Sequence, residues 1–266
     1  MKVAIVHNDR ETTLIAVRHL KGLLAENKIM VDQANPDLVI SVGGDGTLIS
    51  AFHLYEKQLD KVCFVGIHTG HLGFYTDWRN YDMNELVEAL ATHPVNEYTV
   101  SYPLLCMKVT TSDGLAKFLA LNESSIKRVS KTMEADVYIR GEKFENFRGD
   151  GLCVSTPTGS TAYSKSLGGA IIHPRLGALQ LTEIASINNL VFRTVGSPIV
   201  IAPDEWITIV PHDTKKFVLV ADGQRLKLKD VLKVDYVISP DKRIKFYEYG
   251  HHHFWARVND AFIGDR

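Results

Sequence analysis

The segment Asp37-Leu38-Val39-Ile40-Ser41-Val42-Gly43-Gly44-Asp45-Gly46-Thr47 runs from an almost continuously apolar stretch into a glycine-rich turn. Such a stretch predicts a β-strand that is covered on both faces, as in a parallel sheet. The residues that follow, 48–52, predict a helix. Because a glycine turn between a strand and a helix directs backbone N–H groups and the positive end of the helix dipole towards one point, this turn is suited to an anion such as phosphate.

The turn matches neither of the common glycine-rich nucleotide loops. It lacks the Gly-x-x-x-x-Gly-Lys pattern that is followed by Ser or Thr, and it lacks Gly-x-Gly-x-x-Gly. Asp45 therefore has two interpretations from this segment alone. It is either a reacting carboxylate or a carboxylate at a helix start that accepts hydrogen bonds from unpaired amides.

The pattern on either side of this turn predicts two kinds of structure. Before residue 100, strands at 3–7, 37–42 and 62–67 alternate with helices at 12–27, after Gly46 and at 84–91. This alternation predicts an α/β N-terminal domain with a parallel sheet and flanking helices. The later sequence is rich in β-strand patterns, with turns at Asp113-Gly114, Arg140-Gly141 and Asp222-Gly223 and helices expected at 160–168 and 178–187.

Composition limits the classes of function. The chain has 266 residues, of which 45% are apolar and 23% charged, as in an ordinary globular protein. Its net charge of −1 argues against a nucleic-acid partner, and no apolar run is long enough to cross a bilayer. The three cysteines lie in apolar stretches, and the first strand is too short for a signal peptide, so we expect a cytoplasmic protein without disulfides.

Two further segments carry residues suited to a nucleotide. The first contains Gly149-Asp150-Gly151 and Thr158-Gly159-Ser160-Thr161-Ala162-Tyr163, whose hydroxyls can bind the edge of a base while the Tyr163 ring covers its face. The second is Asn122-Glu123, at the end of an apolar strand, where an amide and a carboxylate suit the diol of a ribose. The alternatives are a Ser/Thr-rich loop for the first segment and a turn for the second.

In order and context, these segments resemble the motifs of the NAD kinase family. The resemblance rests on Gly43-Gly44-Asp45-Gly46, Gly70-His71-Leu72-Gly73-Phe74, Asn122-Glu123, Gly149-Asp150-Gly151, the run 158–163 and Ala221-Asp222-Gly223. It implies transfer of the terminal phosphoryl group of ATP to the 2′-hydroxyl of the adenosine ribose of NAD. It also implies a β-sandwich-like C-terminal domain after the α/β domain. The expected domains are residues 1–100, completed by the tail 250–266, and an NAD-binding domain of residues 101–249.

The resemblance also assigns roles to residues. Asp45 would accept the proton of the 2′-hydroxyl, with Mg²⁺ or another divalent cation held by ATP and without a protein metal cage. Asp150 would reach the NAD site of a neighbouring subunit in a homodimer or homotetramer. The residues expected to bind substrate are Gly44, Gly46, Leu72, Phe74, Asn122, Glu123, Arg148, Asp150, Thr158, Thr161, Ala162, Tyr163, Ser166, Ala185 and Gln224.

Several alternatives stay open at this point. Arg148 can bind a phosphate or form a surface ion pair. His68 and His71 have the spacing of a metal pair, but their loop offers no cysteine or carboxylate to complete a zinc site. A lipid or sugar kinase with the same glycine turn, or a module that binds NAD without turnover, would each explain part of the pattern.

Overall fold

The computed structural model of the chain describes residues 1–70, 73–93, 95–214, 217–247 and 254–264. The chain divides into two compact units. Unit 1 comprises Met1–Ser101 and Arg243–Arg266, and unit 2 comprises Tyr102–Lys242. Each unit has its own cluster of buried apolar side chains.

The helices and strands follow in chain order. The first part of the chain contains β1 (Lys2–His7), α1 (Glu11–Glu26), β2 (Met30–Val31), β3 (Leu38–Gly43), α2 (Asp45–Leu54), β4 (Cys63–His68), β5 (Trp78–Arg79) and α3 (Met83–Thr92). The second part contains β6 (Thr99–Thr111), β7 (Gly114–Ala120), β8 (Glu123–Arg128), β9 (Met133–Ile139), β10 (Glu142–Gly149), β11 (Gly151–Ser155), α4 (Tyr163–Ser166), β12 (Leu179–Ile184), β13 (Ile199–Ile201), β14 (Ile207–Pro211), β15 (Phe217–Ala221), β16 (Gln224–Arg225), β17 (Val231–Tyr247) and α5 (Phe254–Phe262).

Unit 1 contains a sheet whose strands β2, β1, β3 and β4 are parallel neighbours. All residues of β3 and β4 are buried, because helices cover the sheet and leave no solvated strand face. The parallel sheet with flanking helices that the sequence predicts for the N-terminal domain is therefore confirmed.

Helix α1 shows why the sequence forms this unit. Its buried residues are Thr13, Ala16, Val17, Leu20 and Leu24, which lie on one side of a helix with 3.6 residues per turn. This face packs on β1 and β3. The helix begins after Arg10, whose carbonyl oxygen accepts the Leu14 N–H at 3.0 Å.

Unit 2 contains two antiparallel sheets. One has the order β13-β12-β11-β8-β15-β16, and the other includes β10, β9, β14 and the first part of β17. The core between them is apolar, and strands of both sheets contribute to it, for example through Ile126, Leu152, Val137 and Ile209. This is the β-sandwich-like architecture that the family resemblance implied.

Two helix predictions for unit 2 were wrong or too long. Residues 178–187 contain strand β12, which lies between β11 and β13 in its sheet. Apolar residues at 181, 184 and 187 have a spacing that also suits a helix, although 179–182 alternate between apolar and polar residues as in a strand. Gln180 is buried, and its side chain binds the backbone of Ala170. Residues 160–168 form only a 3-10 turn, Thr158–Thr161, and the one-turn helix α4, because the backbone of Ala162 is not helical.

The three predicted hairpin turns are present. They join β6 to β7, β9 to β10 and β15 to β16. Arg140 and Asp222 both have positive φ, at 54° and 47°, and a glycine follows each of them, as tight reversals between twisted strands require.

Among the helices of the described ranges, none is long and apolar enough to span a membrane.

Two leucines of α1 test whether the buried face of this helix holds unit 1 together. Leu20 is 0% exposed and Leu14 is 38% exposed. Leu20→Ala leaves a cavity, so we expect it to lower the free energy of unfolding by about 2–5 kcal/mol. Leu14→Ala, the matched control in the same helix, should change it by less than about 0.5 kcal/mol. Urea unfolding followed by circular dichroism measures both values, and equal losses would contradict the packing described here.

Candidate active site

Asp45 lies at the junction of β3 and α2, as the first residue of the helix. One of its carboxylate oxygens accepts the Phe74 N–H at 2.8 Å, and the other accepts the Tyr75 N–H at 3.0 Å. The carboxylate thus binds amides of another segment, not those of its own helix. Because a carboxylate oxygen can accept more than one hydrogen bond, both oxygens keep capacity for a further partner.

Gly73 makes this arrangement possible. A Cβ atom at this position would overlap the Asp45 carboxylate. The Gly-x-Leu-Gly-Phe pattern of the sequence therefore has a local physical reason, since only glycine lets the loop approach Asp45 so closely. The predicted contact Leu72 and the metal candidate His71 lie outside the described residues.

Arg257 of α5 holds the same loop from the other side and was not among the predicted site residues. Its guanidinium donates a hydrogen bond to the Phe74 carbonyl oxygen at 2.8 Å and forms an ion pair with Asp77. The Phe74 ring also packs on Phe262 of the same helix, with the ring centroids 5.5 Å apart. The signal in the sequence was a single charged residue within the apolar stretch Phe254-Trp255-Ala256-Arg257-Val258.

Opposing effects act on the Asp45 carboxyl group. Burial raises its pKa above the ordinary value, because the charged form loses solvation. The amides of Tyr75 and Phe74, the positive charge of Arg257 and the Thr76 hydroxyl lower it, but burial has the larger effect. Asp45 is therefore a stronger base than a carboxylate in water.

A cavity of about 450 Å³ adjoins the glycine turn. The Asn8 side chain links two segments that line the cavity. Its Nδ2 donates a hydrogen bond to the Thr47 hydroxyl at 3.3 Å, and its Oδ1 accepts the backbone N–H of Arg10 at 3.1 Å. The positions that a Cβ of Gly44 or Gly46 would take are open. The residues that line the cavity are Val6, His7, Asn8, Arg10, Gly44, Gly46, Thr47 and Ser50.

In unit 2, the carboxylate of Asp222 fixes the backbone of the predicted ribose-binding pair. It accepts the N–H groups of Leu121 at 2.7 Å, Asn122 at 2.7 Å and Glu123 at 3.2 Å. Asp222 was recognised in the sequence as part of a turn motif, but it was not assigned to the site. Its role depends on a contact between residues about a hundred positions apart, which no local pattern reveals.

The run 158–163 lies against the same backbone. The Thr156 hydroxyl donates to the Leu121 carbonyl oxygen at 2.6 Å and accepts the Gly159 N–H at 2.9 Å. A Cβ atom on Gly159 would overlap the backbone of Asn122. The structure therefore brings together Asn122, Glu123 and the predicted residues at 158–163.

Two buried oxygen atoms of this cluster have no hydrogen-bond partner within the described ranges. They are the Thr158 hydroxyl and one carboxyl oxygen of Glu123. Burial, followed by the nearby Asp222 charge, raises the pKa of Glu123 to about 7, although the Tyr163 N–H and Lys127 oppose this shift. Since buried polar atoms in native proteins are almost always bonded, these two atoms indicate a place for a polar ligand.

The other predicted residues of this cluster are more accessible. The Thr161 hydroxyl donates to the Thr158 carbonyl oxygen at 3.2 Å, and Ala162 precedes α4. Ser166 is exposed at the end of α4, and Gln224 is exposed in β16, directly after the Asp222-Gly223 turn.

Asp150, Arg148 and Ala185 lie apart from Glu123. Strand β11 is antiparallel to β8, with Ser155 opposite Glu123 and Gly151 opposite Lys127, so Asp150 lies at the far end of β8. Asp150 is exposed, and Ala185 is exposed with a positive φ of 47°, a strained conformation for alanine. Arg148 pairs with Glu134 at 3.1 Å and stacks over the Phe192 ring at 3.8 Å. The predicted contacts of these residues with substrate stay predictions.

Family models match both parts of the chain. Residues 25–95 match the ATP-NAD kinase N-terminal domain, and residues 121–248 match the ATP-NAD kinase C-terminal domain. The NAD kinase of Lactobacillus delbrueckii subsp. bulgaricus is 77% identical over 266 residues, with 100% of both chains covered. The NAD kinase of Enterococcus faecalis is 55% identical over 267 residues, again with 100% of both chains covered.

Solved structures share the fold at low sequence identity. The yeast NADH kinase complexed with NADH has a TM-score of 0.85 at 20% identity, over 100% of this chain and 89% of its own. An NAD kinase from Archaeoglobus fulgidus in complex with ATP has a TM-score of 0.78 at 24% identity, over 99% of this chain and 100% of its own. At these identities the likeness shows the fold.

The raised pKa of Glu123 predicts a pH-dependent stability. Between its ordinary value of 4.5 and about 7, the folded chain keeps a proton that the unfolded chain has lost, so Glu123 makes the fold less stable as pH rises through this window. Glu123→Gln removes the titration while an amide oxygen can still accept the Tyr163 N–H. We expect the stability of this variant relative to the parent to increase by about 1–3 kcal/mol from pH 5 to pH 8.

The measurement is urea unfolding at both pH values. Glu142→Gln, at an exposed position of β10, controls for the loss of one negative charge. If the difference between Glu123→Gln and the parent stays constant from pH 5 to pH 8, Glu123 is not buried as described.

Proposed function

The chain belongs to the NAD kinase family and transfers the terminal phosphoryl group of ATP to NAD, and we propose that Asp45 accepts the proton of the attacking 2′-hydroxyl. The observation that carries this role is the position of the carboxylate, held by the amides of Phe74 and Tyr75, in a glycine turn whose Gly44 and Gly46 line an open cavity. The product is NADP.

Phosphoryl transfer to an alcohol does not require a strong base at the position of Asp45. A carboxylate is a weak base for an alcohol, but phosphoryl transfer passes through a loose transition state in which the proton leaves late. Orientation of the hydroxyl then matters more than its deprotonation. The two amide hydrogen bonds fix the carboxylate, and its raised pKa strengthens it as an acceptor.

The phosphates of ATP bind in the cavity at the start of α2. Open space at Gly44 and Gly46 lets phosphate oxygens approach backbone N–H groups, where the helix dipole adds positive potential. Arg10 lines the same cavity and supplies a positive charge. That the structure of the Archaeoglobus relative contains ATP supports ATP as the donor.

A divalent cation, which we take to be Mg²⁺, accompanies ATP. The described residues contain no group of three or more His, Cys, Asp or Glu side chains placed to hold a metal. Near the cavity, Asn8, Thr47 and Asp45 offer two neutral oxygens and one carboxylate, a set that suits an ion held mainly by phosphate oxygens and water. When bound, the cation supplies charge neutralisation for the phosphates.

NAD binds through unit 2. Asn122 and Glu123 hold ribose hydroxyls, and the free carboxyl oxygen of Glu123 and the Thr158 hydroxyl become bonded when the nucleotide is present. Thr161, Ala162, Tyr163 and Ser166 surround the bases. The structure of the yeast NADH kinase contains NADH, which supports a dinucleotide as the acceptor.

The proposed enzyme is a homodimer or homotetramer. Asp150 is exposed and far along β8 from Glu123, so we assign it to the NAD site of a neighbouring subunit. Ala185, which is also exposed, is assigned to the binding of NAD. We assign phosphoryl transfer to residues 1–100 with the tail 250–266, and NAD binding to residues 101–249. The proposed compartment is the cytoplasm, in agreement with the three free cysteines of the chain.

Replacement of the proposed base gives the first test. Asp45→Asn should lower kcat for NADP formation by about 10²–10⁴-fold, because the amide neither orients the hydroxyl as a charged acceptor does nor accepts its proton. One of the two loop amides also loses its acceptor, so the free energy of unfolding should fall by only about 1 kcal/mol. Calorimetric binding of NAD should persist. Glu85→Gln, which removes an acid from the first turn of α3, is the control, and retained turnover in Asp45→Asn would refute the role.

Arg10 gives a test of the donor site. Arg10→Gln should raise KM for ATP by about three- to tenfold and leave KM for NAD unchanged, because it removes one charge from the phosphate cavity. Arg18→Gln removes the same charge from an exposed position of α1 and is the matched control. Equal KM values for ATP in the two variants would place the phosphates elsewhere.

A further inference from the structure

We propose that Lys127 is a positioning residue for Tyr163, fixing the ring against which NAD binds and directing the tyrosine hydroxyl hydrogen towards the nucleotide. This inference rests on the proposed contact between Tyr163 and NAD. Lys127 belongs to none of the motifs that carry the family resemblance, and it has no role in the proposed transfer of the phosphoryl group.

The contact between the two side chains is short and has two parts. Lys127 Nζ lies 2.5 Å from the Tyr163 hydroxyl oxygen and 4.1 Å from the centroid of the ring. The ammonium group therefore donates a hydrogen bond to the phenol oxygen and lies at the hydroxyl end of the ring. A charged donor in this position restrains rotation of the tyrosine side chain.

The hydrogen bond sets the direction of the tyrosine hydroxyl. An ammonium group has only donors, so the phenol oxygen accepts in this pair and its own hydrogen points elsewhere. The Tyr163 hydroxyl is thereby held as a donor for a third group. A ring nitrogen, carbonyl or phosphate oxygen of a dinucleotide supplies the acceptor that this arrangement needs.

Strand β8 holds Tyr163 at a second point. The backbone N–H of Tyr163 donates a hydrogen bond to the Glu123 carboxyl group. Glu123 and Lys127 are four residues apart on β8, and alternate residues of a strand point to the same face. One face of one strand thus fixes both the backbone and the ring of Tyr163, with the ribose-binding carboxyl group at one end.

Gly151 lets Lys127 take this position. It pairs with Lys127 across β8 and β11. A Cβ atom on Gly151 would overlap the Ile126 carbonyl oxygen and lie 3.0 Å from both Cα and Cγ of Lys127. The second glycine of Gly149-Asp150-Gly151 therefore keeps space for the Lys127 side chain. This explains a glycine at position 151 without any contact between Gly151 and substrate.

Steady-state kinetics with NAD and ATP varied separately test the inference. Lys127→Met should raise KM for NAD by about three- to tenfold, while kcat and KM for ATP stay within about twofold. Lys127→Arg keeps a charged donor beside the Tyr163 hydroxyl and should retain most of the affinity for NAD. Lys117→Met, which removes an exposed lysine from β7 of the same unit, is the matched control and should match the parent.

A double variant separates positioning from direct contact. In the Tyr163→Leu background, Lys127→Met should have no additional effect on KM for NAD, because the group through which it acts is gone. A further rise of the same size would mean that Lys127 contacts NAD itself and would overturn the positioning role. Unchanged KM for NAD in Lys127→Met would overturn it as well.

The effects of Tyr163→Leu and Lys127→Met together distinguish an error in the role of Lys127 from an error in the proposed NAD site. If Tyr163→Leu alone leaves KM for NAD unchanged while NADP is still formed, the contact between Tyr163 and NAD is wrong, and the inference falls with it. If Tyr163→Leu raises KM for NAD but Lys127→Met does not, the contact between Tyr163 and NAD is supported and the positioning role of Lys127 is wrong. Thermal unfolding of every variant excludes loss of the fold as a cause, and Lys127→Gln replaces Lys127→Met if that variant unfolds.

Discussion

The register between β3 and β4 is the constraint on which unit 1 depends. The two strands are buried and parallel, and Gly43 at the end of one lies opposite His68 at the end of the other. The chain therefore leaves both strands at the same edge of the sheet. Only this arrangement brings Asp45, which follows β3, within hydrogen-bond distance of the Phe74 and Tyr75 amides, which follow β4. A shift of one residue in the register would separate them.

Unit 2 uses the same kind of interaction for another purpose. The Asp222 carboxylate, at a hairpin turn, accepts three backbone N–H groups at the start of β8. In each unit, a carboxylate beside a glycine thus binds amides of a chain segment distant in sequence. Hydrogen bonds from neutral donors to a charged acceptor are stronger than those between neutral groups, so they hold irregular segments that no sheet or helix supports.

Much of the fold follows from local pattern. The buried strand at 37–42, the helix at 12–27 and the three hairpin turns were predicted because periodicity and turn residues determine them. The strand at 179–184 was mistaken for a helix, since apolar residues at 181, 184 and 187 also fit the spacing of a helix. The segments 122–123 and 158–163 were found from the chemistry of their side chains, and the family resemblance assigned them to one site. No site role was predicted for Arg257, Asp222 or Lys127, because tertiary packing determines their partners. The roles of Asp45 and Arg148 likewise depend on contacts that the spacing of residues in the sequence does not encode.

The contact between Arg257 and the Phe74 carbonyl oxygen joins residues 183 positions apart, one before and one after unit 2 in the sequence. Unit 1 contains both ends, whereas unit 2 is continuous in sequence. A ribosome therefore synthesises all of unit 2 before the last helix of unit 1 exists. The loop that holds Asp45 lacks one of its supports until α5 has been made, so a nascent chain can contain every motif described above and still lack this support of the Asp45 carboxylate.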